Sequence, residues 1–195
     1  MLDGGPGTFS LLSHVDSLPI IIEQFPNRLP RGAWIVWSVV ASIALLLLLL
    51  VVAAPVAAAQ GHSQFASPIY EVFSYLCHQI PERSFHLAGH PFAVCSRCTG
   101  LYAGFACATL ALPLARSLKR TDTPHVIWLL LSGVPLAIDF GLTYFGVWEN
   151  NHLTRVTTGA LFGAVAAIFV VPGLIELSVN VQRRFKSEPP AVAGG

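Results

Sequence analysis

The chain has 195 residues, 54% of them hydrophobic and only 11% charged, with a mean hydropathy of +0.65. Soluble domains carry about 25% charged residues, so this composition excludes an ordinary soluble fold and points to a membrane solvent. A formal net charge of +1 gives no basic field for nucleic acid, and no Walker or Rossmann glycine pattern is present.

Residues 1–32 read as an N-terminal segment punctuated by glycine and proline, with a short apolar patch from Leu18 to Ile22. Residues 33–59 carry no charge and include a leucine run, Leu45 to Leu50, so they are expected to form a transmembrane anchor. The PVAAA stretch at 55–59 resembles a signal-peptidase site. The preceding segment is long for a signal n-region, so a retained anchor is expected. Cleavage is the alternative and would leave three spans in the same orientation.

Residues 60–94 form a loop that carries chemistry. Ser67-Pro68 has the pattern of a helix start, and Ile69, Val72, Phe73 and Leu76 follow at helical spacing. This amphipathic helix delivers Cys77 and His78, Pro81 stops it, and Ala88-Gly89 suggests a turn. Three further spans follow at 95–115, 125–147 and 155–177, with residues 179–195 as a disordered tail. Asn150 or Asn151 is expected to cap the last span, with His152 a solvated loop residue. Trp34, Trp37, Trp128 and Trp148 lie near span ends and read as interfacial anchors. The fold class is therefore an all-α integral membrane protein of about four transmembrane helices, with a small Cys/His-containing subdomain.

Basic residues orient this bundle. Arg28, Arg31, Arg116, Lys119, Arg120, Arg183, Arg184 and Lys186 lie in the N-terminal segment, the loop between spans two and three, and the tail. Both termini are therefore expected in the cytoplasm of a multi-pass plasma-membrane protein, with the Cys/His loop on the outer face.

Cys95 and Cys98 form a CxxC at a helix start, a spacing that lets both sulfurs face one point. Cys77 can fold back onto them. Three cysteines with one histidine from His78, His86 or His90 would make a closed tetrahedral metal site, with zinc favoured and iron the other candidate. A redox dithiol is the second reading, because a helix N-terminus and Arg97 both lower a thiol pKa. Its partner would be quinone or an extracytoplasmic thiol protein. A structural disulfide from Cys77 to Cys95 or Cys98 is the third. Cys107 lies mid-span and reads as inert core.

Cys77-His78-Gln79, Arg83-Ser84 and Cys95-x-Arg97-Cys98-Thr99-Gly100-x-Tyr102-x-Gly104 resemble a prokaryotic family of predicted membrane proteins, domain of unknown function 2085. Asp139 and Arg155-x-x-Thr158-Gly159 fit the same pattern, and the resemblance runs from about Tyr70 to Leu177. It implies a bacterial or archaeal source and a helical membrane fold, and assigns no activity. It also favours Cys77, His78, Cys95 and Cys98 as ligands over His86 and His90.

Asp139 would lie about 13 Å deep at the usual helical rise, where an acid must be paired or neutral. Arg97 and Arg155 are its expected partners, and Tyr102 is placed to hydrogen-bond to it. These four are the candidate catalytic residues. Asp139, Arg97 and Arg155 serve equally a reading in which the protein is a non-enzymatic structural or transport component, with the three as a register lock or ion path. Gly100-x-x-x-Gly104 and Gly159-x-x-x-Gly163 are small-residue stripes that would bring spans two and four together, or alternatively pair two copies of the chain.

Overall fold

A computed structural model describes residues 31–118, 122–147 and 150–187, with side chains to Arg184. The readings made for residues 1–30, Lys119, Arg120, Trp148 and residues 188–195 lie outside the described residues. The chain forms α1 (Arg31–Ala59), α2 (Ser63–Ser74), a 3-10 turn (Pro81–Arg83), a hairpin of β1 (His86–Leu87) and β2 (His90–Pro91), then α3 (Ser96–Ala115), α4 (Ile127–Tyr144) and α5 (His152–Ser187). Helices α1, α3, α4 and α5 are each long and apolar enough to cross a membrane.

Two boundaries depart from the sequence expectation. The first is the start of α2, at Ser63 rather than Ser67, with Pro68 inside the helix. Gly61, at φ +77°, closes α1: the Gly61 and His62 amides bond back to the Ala58 and Ala57 carbonyls. This is a left-handed glycine cap, and the next helix follows at once. Pro68 then costs one intrahelical bond at an exposed position. The expected apolar face of α2 is only half used. Phe73 is buried, whereas Val72 and Leu76 stay exposed, as suits a helix lying against lipid.

The second is the end of α5, which continues as helix to Ser187, so residues 179–187 are not a disordered tail. Arg183, Arg184 and Lys186 fall in its last turns, where positive charge complements the helix dipole.

Helices α3 and α5 run parallel in a fixed register. A Cβ placed at Gly100 would fall on the Val156 carbonyl, and one at Gly104 on the Ala160 carbonyl. In return, Cβ atoms at Gly159 and Gly163 would fall on the carbonyls of Arg97 and Leu101. The two glycine stripes therefore face each other within one chain. Homodimerisation is not open to faces already filled in this way.

Two prolines tie α1 to α3 and to the strand segment before it. Pro55 has no amide, so the Val51 carbonyl lacks its helical donor and accepts the Ala93 amide at 3.3 Å instead. Pro113 likewise frees the Thr109 carbonyl, which accepts the Trp37 indole at 2.7 Å. Each freed backbone group in an apolar bundle needs such a partner. Trp37 is thus a half-buried bridge from α1 to α3 rather than only an interfacial anchor. Trp34 and Trp128 remain exposed.

Candidate metal and anion site

The cysteines come together through a small polar scaffold at one end of the bundle. Gln79 adopts a left-handed conformation, φ 49°, and its side-chain amide donates to the Tyr70 and Ala93 carbonyls at 2.6 and 2.8 Å. This clamps the end of α2 to the strand that leads into α3. Ser96 Oγ donates to the Arg83 carbonyl and Ser84 Oγ to the Ile80 carbonyl, both at 3.0 Å. The hairpin turns through Ala88 and Gly89 at φ 49° and 82°, a two-residue turn that needs positive φ at both positions. Val51, Ala54, Phe73, Ala93 and Val94 then bury Cys77.

The Sγ atoms of Cys77, Cys95 and Cys98 all lie within 4.8 Å of one another. Tetrahedral bonds of about 2.3 Å to zinc hold sulfurs about 3.8 Å apart, within that bound. All four cysteines are free, so the disulfide weighed from the sequence is not formed. The Cys95 amide donates to Cys77 Sγ at 3.3 Å. Thiol hydrogen bonds from Cys95 and then Cys98 hold Cys77 far below the usual thiol range; burial opposes them, and the Cys95 and Gln79 amides assist.

The histidines are placed differently. His78 is exposed and its ring stays out of the sulfur group, though it lines the adjoining cavity. Adjacent residues at a helix end diverge, and the left-handed turn at Gln79 carries the chain away from the sulfurs. His86 and His90 sit on the hairpin, also outside the group. His152 is no solvated loop residue: it opens α5 half-buried, its ring 5.3 Å from that of Phe85. Cys107 faces outward from α3 rather than into the core.

The acid and the arginines converge at the same end. Asp139 is buried and pairs with Arg97 through Oδ2 and Nη2. Arg97 also stands 5.7 Å above the Phe140 ring, a cation–π contact. Arg155 lies near this pair but forms no ion pair with Asp139. Tyr102 makes no hydrogen bond to Asp139; its ring packs edge-on against Phe73, 5.9 Å away, beside the cysteines. Asn150 donates to the Asp139 carbonyl at 2.5 Å, and Asn151 caps α5 by accepting the Thr154 amide at 2.8 Å. A cavity of about 510 Å³ opens beside this cluster, with Cys77, Cys95, Cys98, Arg83, Arg97 and Arg155 on its wall.

A family model for predicted membrane proteins of domain of unknown function 2085 matches residues 77–169. An uncharacterised protein of Methanocaldococcus jannaschii is 31% identical over 118 residues, covering 60% of this chain and 74% of that protein. The chain belongs to the DUF2085 family. A second relative is an uncharacterised protein of Methanothermobacter thermautotrophicus, 38% identical over 96 residues, 49% of this chain and 85% of that protein. No solved structure matches the chain. The DUF2085 match begins at Cys77 and takes in Cys95, Cys98, Asp139 and Arg155, so it spans the whole cavity wall named above.

The clamp role of Gln79 was not visible in sequence. A glutamine after Cys-His carries no local signal of left-handed backbone, and its two acceptors come from distant segments.

Proposed function

We propose that this protein is a membrane metalloprotein that holds one metal ion, zinc favoured and iron the alternative, on Cys77, Cys95 and Cys98. One observation carries the reading: three sulfurs from two separate segments meet within 4.8 Å. Thiolate sets of this kind select zinc or iron. His78 completes the set if its side chain turns inward from the cavity wall. Left open, the fourth position would be available to a ligand from the adjoining cavity, whose wall also carries Arg83, Arg97 and Arg155; three protein ligands with one open position are the arrangement of a catalytic zinc. Metal analysis of the detergent-purified chain is expected to give about one ion per chain. Cys98→Ser is expected to lower that about tenfold or more while the protein stays monodisperse. A metal-free wild type whose thiols alkylate freely contradicts the proposal.

A second reading, thiol–disulfide exchange with quinone or a thiol protein, draws on the lowered pKa of Cys77, which favours an attacking thiolate beside two further thiols. It predicts a disulfide that cycles between oxidised and reduced forms, and no stoichiometric metal.

The site is proposed to face outward, with both termini cytoplasmic, on the distribution of Lys and Arg. Retention of α1 belongs to the same proposal, because Val51 and Ala54 wall in Cys77. A fluorescent protein fused ahead of Met1 should stay attached to the full chain and fluoresce in the cytoplasm. Release of the fusion with residues 1–59 would refute retention.

A further inference from the structure

The cavity beside the cysteines has a charge that the metal reading does not use. Arg155 is only 8% exposed and lines the cavity, and its side chain, among the described residues, makes no hydrogen bond or ion pair. Its guanidinium nitrogens keep access to the cavity and have no protein acceptor there, which leaves them available to an anion. Arg97 spends its charge on Asp139. Arg83, on the same wall, has no acidic partner among the described residues. Three guanidinium groups against one carboxylate leave two formal positive charges facing one space. The excess stays positive even if three thiolates carry a divalent metal. The parallel register of α3 and α5 adds to it, because both helices begin at this end, at Ser96 and His152. Two helix N-termini supply the partial positive charge that favours an anion.

We propose that this cavity binds a phosphate group, anchored by Arg155 and Arg83. Guanidinium forks match phosphate oxygens in pairs, and the excess positive charge on this wall favours an anion there. At about 510 Å³ the cavity is larger than the ion alone needs, so the phosphate is carried on a larger molecule. Leu76, Phe140 and Tyr144 continue the wall and are themselves exposed. That apolar continuation fits either a small phosphomonoester or a phospholipid headgroup, and the test separates the two.

The test uses the full chain in an uncharged detergent, with the thermal midpoint followed against sodium phosphate, acetate and chloride at equal ionic strength. Phosphate should raise the midpoint saturably; acetate and chloride should not. Glycerol phosphate and short-chain phosphatidic acid are titrated in parallel, and the tighter one identifies the source. Arg155→Gln should weaken binding by about ten- to hundredfold, the size of a lost charge-assisted contact. Arg83→Gln, at an exposed position that the fold does not need, should weaken it by about tenfold. Arg183→Gln, far along α5, should leave it unchanged. The cavity claim stands apart from the metal claim: Cys98→Ser should lose metal and keep the phosphate response. No preference for any of the three phosphates over acetate and chloride overturns the inference, as does unchanged binding in Arg83→Gln.

Discussion

Asp139→Asn is expected to lower stability by about 3 kcal/mol, measured by reversible denaturation in detergent. The reason is the pair it breaks. Asp139, on α4, is 8% exposed and pairs with Arg97 of α3. Removing one partner of a buried pair strands the other charge, at a cost of about 3–5 kcal/mol. Arg97 keeps some access to the cavity, its side chain being 20% exposed, which places the estimate at the lower end. Replacing both partners with apolar residues, Arg97→Met with Asp139→Leu, is expected to recover most of the loss, because no unpaired charge remains. If the double variant is as unstable as the single one, the pair is not what joins α4 to α3.

The second large effect is expected at the helix contact. Gly159→Leu should separate α3 from α5, because a side chain at Gly159 meets the Arg97 carbonyl, which is backbone and cannot rotate aside. Overpacking of a well-fitted core costs about 1–3 kcal/mol, and more where backbone must move. The same shift would carry Arg97 away from Arg155, so phosphate binding should fall. Gly141→Leu is the control: it sits in α4 with nothing within 4 Å of an added Cβ, and its midpoint should stay within about 1 °C of wild type, the small shift of an unstrained surface substitution. Equal behaviour of the two variants would refute the packing account.

These two results bear on what a sequence can carry. The four spans were legible because a bilayer demands long runs of apolar residues, and helix length follows from that demand. The α3–α5 contact was legible for a related reason: glycines four apart mark one helix face, and two such faces at matched depth suggest each other. Cys77 with Cys95 and Cys98 could be grouped from spacing alone, and the structure brings their sulfurs together.

Three things resisted. The direction of His78 depends on where α2 unwinds and on the left-handed turn at Gln79, neither of which has a local signature. The start of α2 was misplaced because a serine–proline pair has the pattern of a cap, whereas the glycine at 61 had already ended α1. The carbonyls released by Pro55 and Pro113 find donors on Ala93 and Trp37, far along the chain. A proline shows in sequence which acceptor it frees; only the packed bundle shows what fills it. The same holds for Arg155, whose lack of a partner is a property of the assembled cavity.

The central claim is that three sulfur atoms share one metal ion. X-ray absorption at the zinc edge of the purified chain tests it most directly. The account predicts three sulfur neighbours at about 2.3 Å with one lighter nitrogen or oxygen neighbour at about 2.0–2.2 Å. A metal bound only by nitrogen and oxygen, or no bound zinc or iron at all, would contradict it.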